Sequence, residues 1–372
     1  MSELQIVKLV PGGEGLGFLD GKAVFVPMVL PGERVEVRTV ERRRDFDRAA
    51  LVKVVEGSAH RVSPPCRLAG ICGGCDWLHM SYPEQLAQKR AIALEALRRT
   101  GRIERETVDI EGAPPLASRN RAQVHRDADG RHGFMSARTN RVVPVETCPV
   151  SVHPINGVFR GAARTPSTLD RFTLFSNGTW LAVEGIDDER DLSVTVCGRE
   201  ILFSVGCFFQ SNLAALEKLL PWALEGLAGD TAADLYCGVG LFGAFLADRF
   251  ARVVAVESSS TSLAYARRNI RGERHEFFPM SVEQWIASGA ARTPFDAILL
   301  DPPRPGLSAP VREWLIGHPP RRLVYVSCDP VTLARDLGEL LAGRFALEDL
   351  RLFDFSPQTS RIEAAARLGA TT

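Results

Sequence analysis

From about residue 200 onward the chain alternates apolar runs with amphipathic ones, and this alternation restricts the fold more than any other feature. Residues 232–236, 252–256, 297–300 and 322–327 are largely apolar and of strand length. Runs of that kind suit strands covered on both faces. Residues 241–249, 261–271 and 332–341 read as helices. The stretch 212–227 carries apolar residues at 213, 216, 219, 220, 223 and 224, the spacing of one helix face. Strand and helix in turn predict a doubly wound, Rossmann-like α/β sheet over residues 205–372. Such sheets bind their ligands beyond the carboxyl ends of the strands, so residues at those ends are the first candidates for function.

The preceding chain reads differently. Residues 1–57 hold short Val-rich runs (4–10, 22–27, 34–40, 49–55) broken at Pro11-Gly12-Gly13 and Pro31-Gly32-Glu33. That pattern predicts a small all-β barrel of the OB type. The phrase from Gly13 to Phe18 reads as a flexible loop. Small barrels often hold single-stranded nucleic acid, although a barrel of other use fits equally well. Residues 58–204 read as a mixed α+β central domain, with a helix over 82–99 and turns at Asp129-Gly130 and Asn177-Gly178.

Two carboxyl-end sites attract attention. Residues Asp234 to Gly240 end a strand and open a helix, with Gly238 and Gly240 permitting a tight turn close to a ligand. Glu257 ends the next strand and is placed to accept hydrogen bonds from both hydroxyls of a ribose. A nucleoside-containing ligand follows, and NAD remains open on these residues alone. Asp301-Pro302-Pro303-Arg304 follows the strand 295–300, and Cys328 follows the strand 322–327 just before a helix N-terminus, whose dipole favours a thiolate. A cysteine and an acid on neighbouring strand ends suit one kind of chemistry. C5 of a pyrimidine becomes nucleophilic when a thiolate adds at C6, and a base must later remove the C5 proton. Glu363, near the start of the last expected strand, is the candidate base.

Taken together, the motifs resemble those of the S-adenosylmethionine (SAM)-dependent RNA uracil-C5 methyltransferases, which make 5-methyluridine in tRNA and 23S rRNA. The resemblance covers nearly the whole chain. Phe208-Phe209-Gln210-Ser211-Asn212, Asp234–Gly240, Asp301–Arg304, Ser327-Cys328-Asp329-Pro330 with Thr332, and Pro357-Gln358-Thr359 with Glu363 occur in the family's order. The resemblance implies SAM held by Gln210, Tyr236, Glu257 and Asp301, with Cys328 as nucleophile and Glu363 as base. The N-terminal barrel is similar to the RNA-binding TRAM domain of some members. Two positions depart from the pattern. Leu241 replaces a small polar residue, and Arg361 stands where His is common. A carboxylate at Asp301 beside N3 of the base would accept from uracil and repel cytosine.

Eight cysteines in 372 residues are too few for a disulfide scaffold. Cys66, Cys72, Cys75 and Cys148 form a Cys-x5-Cys-x2-Cys run with a distant fourth member. Four thiolates suit zinc or an iron–sulfur cluster, and spacing alone leans to zinc. The family resemblance implies a 4Fe–4S cluster instead. A radical-SAM enzyme usually has Cys-x3-Cys-x2-Cys, a cytosine-C5 methyltransferase usually a catalytic Pro-Cys, and a silent RNA-binding relative would not need Cys328, Asp301 and Glu363 together. Net charge is zero, which argues against a purely electrostatic nucleic-acid coat, yet residues 61–141 carry an excess of five positive charges (14 Lys/Arg against 9 Asp/Glu). Arg119-Asn120-Arg121 and Arg126 in that stretch are candidate RNA contacts. The reading is thus a monomeric, cytoplasmic enzyme acting on RNA, with rRNA expected ahead of tRNA. Neither a membrane span nor a secretory leader is expected.

Overall fold

A computed structural model of the chain describes residues 1–292 and 294–371. Ser2–Gln5, Lys8–Leu9, Gly15–Leu19, Lys22–Val26, Arg34–Arg42 and Phe46–Glu56 form one six-stranded sheet. Its two edge strands, Ser2–Gln5 and Lys8–Leu9, are consecutive in the chain, so the sheet curls back on itself around Leu4, Ile6, Val24, Val26, Val35 and Val37. The segment expected to be a loop, Gly13 to Phe18, instead supplies the strand Gly15–Leu19. A Cβ at Gly17 would fall 2.0 Å from the Leu4 side chain. Glycine is there for a close strand crossing, which in sequence looks the same as a flexible loop.

A five-stranded sheet follows, in the order Val142–Pro144, His132–Met135, Arg121–Arg126, Arg171–Ser176 and Leu181–Val183. Leu192–Val196 and Arg199–Phe203 form a separate hairpin. The largest sheet has eight strands. Its order is Glu276–Phe278, Phe250–Val256, Gly229–Leu235, Ala297–Leu300, Arg322–Ser327, Glu363–Ala370, Phe345–Phe353 and Asp109–Glu111. The first five are parallel, and Glu363–Ala370 runs antiparallel to both of its neighbours.

Alternate residues of the large sheet point into two separate cores, as strand geometry requires. On one face Val253, Ala255, Leu299 and Val324 meet the helices Leu213–Leu224, Leu241–Leu246 and Ser260–Asn269. On the other Val254, Val256, Ile298, Leu300 and Leu323 meet Val282–Ala287, Ala309–Gly317 and Pro330–Ala342. The helices begin where their caps stand: Asn212 accepts from the Ala215 amide, Ser259 from Ser262 and Asp329 from Val331 and Thr332. The strand order reverses beside Gly229–Leu235, which leaves a crevice at the carboxyl edge. Among the described residues no helix is long and apolar enough to cross a membrane.

The helix Tyr82–Ala96 and the strand Asp109–Glu111 come from the middle of the sequence but belong to this last layer. Lys89, on that helix, donates to Asp354 Oδ1 at 2.6 Å and to the Ser356 carbonyl at 3.1 Å. Tyr82 donates to the other Asp354 oxygen at 3.0 Å. The side chains of Lys89 and Asp354 are wholly buried. Removing one member of such a pair strands the other without a counter-charge. Lys89→Met is therefore expected to cost about 3–5 kcal/mol, read as a lower denaturant midpoint. Lys89→Met combined with Asp354→Asn should lose clearly less than Lys89→Met alone.

Candidate active site

The register of the large sheet assembles the site. Arg322–Ser327 pairs antiparallel with Glu363–Ala370, and its last pair is Ser327 with Ala364. Cys328 and Glu363 are the next residue on each strand, so they face each other one step beyond that pair. Leu300 ends its strand opposite Tyr325 of the same neighbour, which brings Asp301 to the same edge. All three line one cleft of about 1160 Å³, together with Gln210, Tyr236 and Glu257. The six residues that the sequence singled out for catalysis and cofactor binding thus share a single cavity.

The wall of the cleft near the first strand is a tight turn. Tyr236, Gly238 and Gly240 all have positive φ (63°, 52° and 78°). At Gly240 a Cβ would lie 2.9 Å from Ala266 of the neighbouring helix, so the turn needs glycine for packing as well as for backbone shape. Glu257 accepts from the Gly238 amide at 3.1 Å and from the Ser259 amide at 2.7 Å. Its carboxylate keeps lone pairs for a ligand in the cleft. Asp234 is buried beneath the turn. One of its oxygens accepts from Gly243 at 2.7 Å, the other has no partner, and burial pushes its pKa up to about 8.

The reacting edge is poor in solvation. Burial pushes Asp301 up to about 7, and Gln210 donates to its carboxyl at 3.3 Å. Burial and the charge of Asp301 push Glu363 up to about 8, with Arg304 opposing. Cys328 is pushed up to about 11 by burial and then by Glu363 and Asp301, against Arg304. The helix N-terminus behind Cys328 was expected to favour a thiolate. Asp329 occupies that terminus as its cap, and the dry cleft with two carboxyl groups outweighs the dipole. At neutral pH the resting site holds a thiol.

Several lining residues were not singled out by sequence. Met280, Ser281 and Glu283 border the cleft. They follow Glu276–Phe278, a three-residue strand too short to leave a periodic pattern. Phe208 lies at the opening, 64% exposed, with the Arg121 guanidinium 5.5 Å from its ring centre. Leu241, one of the two departures from the expected pattern, is buried in the cleft wall at the first position of its helix. The other, Arg361, lines the cleft near Cys328.

The second cysteine group also converges. Cys66, Cys72, Cys75 and Cys148 line one small cavity with Leu68, Leu78, Phe134 and Arg119. The Gly74 amide points at Cys72 Sγ at 3.4 Å, and burial pushes Cys75 up to about 12. Among the described residues, no group of three or more His, Cys, Asp or Glu side chains stands close enough together to hold a metal.

Comparison with known proteins decides the family. Residues 183–285 and 290–370 match the model of the tRNA (uracil-5-)-methyltransferase family. The chain is 32% identical to a 23S rRNA (uracil(1939)-C(5))-methyltransferase of Pseudomonas fluorescens, over 99% of this chain and 92% of that one. The chain belongs to this uracil-C5 methyltransferase family. It is 31% identical to an uncharacterized RNA methyltransferase of Treponema denticola, over 96% of both chains. A tRNA (uracil-54, C5)-methyltransferase of Pyrococcus abyssi, solved with S-adenosyl-L-homocysteine, shares the fold at a TM-score of 0.76 and 23% identity, covering 98% of this chain and all of that one. The enzyme is thus an RNA uracil-C5 methyltransferase with a SAM-methyltransferase fold.

The raised pKa of Glu363 has a consequence for stability. Between its ordinary value, 4.5, and about 8, the unfolded chain has released this proton while the folded chain still holds it. Folding therefore loses stability as pH rises through that window. Glu363→Gln, which never ionises, should melt higher than the native protein at about pH 9 and together with it near pH 4. Thermal unfolding at the two pH values checks this.

Proposed function

We propose that the enzyme methylates C5 of a uridine in 23S rRNA through a covalent bond between Cys328 and C6 of the ring. One observation carries this reading: Cys328, Glu363 and Asp301 meet at one carboxyl edge, in the same cleft as the glycine turn and Glu257. Its relatives among the 23S rRNA enzymes favour ribosomal RNA over tRNA. A tRNA substrate, named for the Pyrococcus abyssi neighbour, is the second reading.

SAM supplies an electrophilic methyl group when bound. The residues fit it: Glu257 would take the ribose hydroxyls, Gly238 leaves its side of the turn open to the cleft, and Gln210, Tyr236 and Asp301 complete the wall. Cys328 gives its proton to water at the opening of the cleft and its sulfur adds to C6, which moves the C5–C6 electron pair to C5. That carbon takes the methyl group that bound SAM would supply, S-adenosylhomocysteine being the leaving group. Glu363, as carboxylate, then removes the C5 proton; the pair re-forms the C5–C6 bond and the C6–S bond breaks, returning the thiolate. Asp301, once ionised, would accept from N3–H of uracil and meet only a lone pair on cytosine.

On this reading the chain comprises a TRAM-like RNA-binding barrel (1–57), a central segment (58–204) that lends the helix Tyr82–Ala96 and the strand Asp109–Glu111 to the large sheet's layer, and the methyltransferase domain (205–372). Cys66, Cys72, Cys75 and Cys148 would hold a 4Fe–4S cluster. One feature supports a shared group: all four thiols line one cavity, and the choice of a cluster over zinc rests on the family resemblance of the Cys-x5-Cys-x2-Cys run with its distant fourth cysteine. The cluster would pin the cysteine loops, since the transfer itself has no net redox step.

Two measurements test these assignments. Ribosomal RNA from a strain lacking the gene should miss one 5-methyluridine, restored by the native gene and not by Cys328→Ser. An unchanged 23S rRNA with a missing tRNA methyl would select the second reading. Anaerobically purified protein should absorb broadly near roughly 400 nm and lose that band in Cys75→Ser. Colourless protein carrying one zinc would contradict the cluster.

A further inference from the structure

Arg361 stands at the opening of the cleft. It is exposed, it lines the cavity shared by Cys328 and Glu363, and Arg304 lines the same opening. Among the described residues neither guanidinium has a hydrogen-bond or ion-pair partner; the only hydrogen bonds of these two residues are made by backbone atoms. Arginines close by are committed, as Arg312 and Arg335 are to Asp336. Partial burial, and then the charge of Arg304, lower the Arg361 pKa against the charge of Asp76. Two uncommitted guanidinium groups that line one opening suit a polyanion.

The backbone of Arg361 is set from a distant part of the chain. Asp76, next to Cys75, accepts from the Ser360 amide at 2.9 Å and from the Ser360 hydroxyl at 2.6 Å. The Arg361 amide donates to Thr359 Oγ1 at 3.2 Å. Gln358 and Gln85 exchange two hydrogen bonds of 2.9 Å each, and the Trp77 amide donates to the Gln358 carbonyl at 3.0 Å. The cysteine-bearing segment thus holds residues 358–361 in place.

We propose that Arg361 is the phosphate-binding residue for the backbone of the target nucleotide, and that Asp76 is the residue that positions it. The inference rests on the proposed function. A uracil seated with C6 against Cys328 leaves its ribose and phosphate at the opening, where Arg361 and Arg304 stand. A phosphodiester there takes a bidentate guanidinium contact, which fixes register without reading sequence. Arg361 acts on the substrate; Asp76 acts only through Ser360 and Arg361.

The test measures binding of an unmodified in-vitro 23S rRNA transcript at several salt concentrations, with steady-state methylation alongside. Arg361→Ala should weaken binding about tenfold and lower the salt slope by about 0.7–0.9, the loss of one phosphate contact. The loss should fall on KM rather than kcat, and Arg361→Lys should keep most of the slope. Asp76→Ala should show the same defect in weaker form, partly restored in Asp76→Asn. The double variant should be no worse than Arg361→Ala alone, a non-additivity that general loss of fold does not produce. Unchanged affinity and slope in Arg361→Ala would overturn the phosphate contact. So would unchanged affinity with a lower kcat, which would make Arg361 an activator of the thiol. Fully additive losses would overturn the role of Asp76. Arg361 is exposed, so its variants carry the test even if Asp76→Ala does not fold. If the native enzyme forms no covalent adduct with the same transcript containing 5-fluorouridine, the proposed function fails, and not merely this subsite.

Discussion

The antiparallel pairing of Arg322–Ser327 with Glu363–Ala370 is the constraint on which the site depends. The other neighbour of Arg322–Ser327 is parallel, so one strand receives Asp301 from one side and Glu363 from the other. Side chains alternate along a strand, and a slip of one residue would turn Glu363 to the other face of the sheet. The register is protected by burial on both faces: Ala364, Ala365, Ala366 and Leu368 are all nearly inaccessible. Small alanines let the helices lie close over this strand, and the two cores of the sheet fix what the reacting edge can do.

The same packing sets the electrostatics. A cleft dry enough to push Asp301 to about 7, Glu363 to about 8 and Cys328 to about 11 holds its groups near neutrality before substrate arrives. That protects a thiol from adventitious chemistry, since the thiolate is the reactive form. It also places Glu363 close to the pH at which a base is most effective, where it is ionised often enough and still binds a proton well. The arrangement is unfavourable for folding at high pH and useful for proton removal, a common tension in sites built from buried acids.

Much of this was legible in the sequence, and the boundary is physical. The α/β layer announced itself because strands buried on both faces must be apolar throughout, and the Asp234–Gly240 turn and Cys328 sit where such strands end. The strand Gly15–Leu19 was mistaken for a loop because glycine serves flexibility and close crossing alike. Glu276–Phe278 was too short to show a period, which hid Met280–Glu283. The state of Cys328 was misjudged because a helix terminus is visible locally, whereas the carboxyl groups that oppose it come from residues 301 and 363. Asp76 and Ser360 are 284 residues apart, and no local pattern predicts that they meet. Lys89 and Asp354 are a similar case: each alone reads as a surface charge, and only the fold buries them together.

The account stands or falls on a covalent bond at Cys328. RNA carrying 5-fluorouridine cannot release the C5 substituent as a proton, so the enzyme should stop at the adduct. Mass spectrometry after incubation with such RNA and SAM should find one nucleotide on the peptide that contains Cys328, with the methyl group already transferred. Native enzyme that methylates uridine-containing RNA but leaves Cys328 unmodified in this experiment would contradict the mechanism.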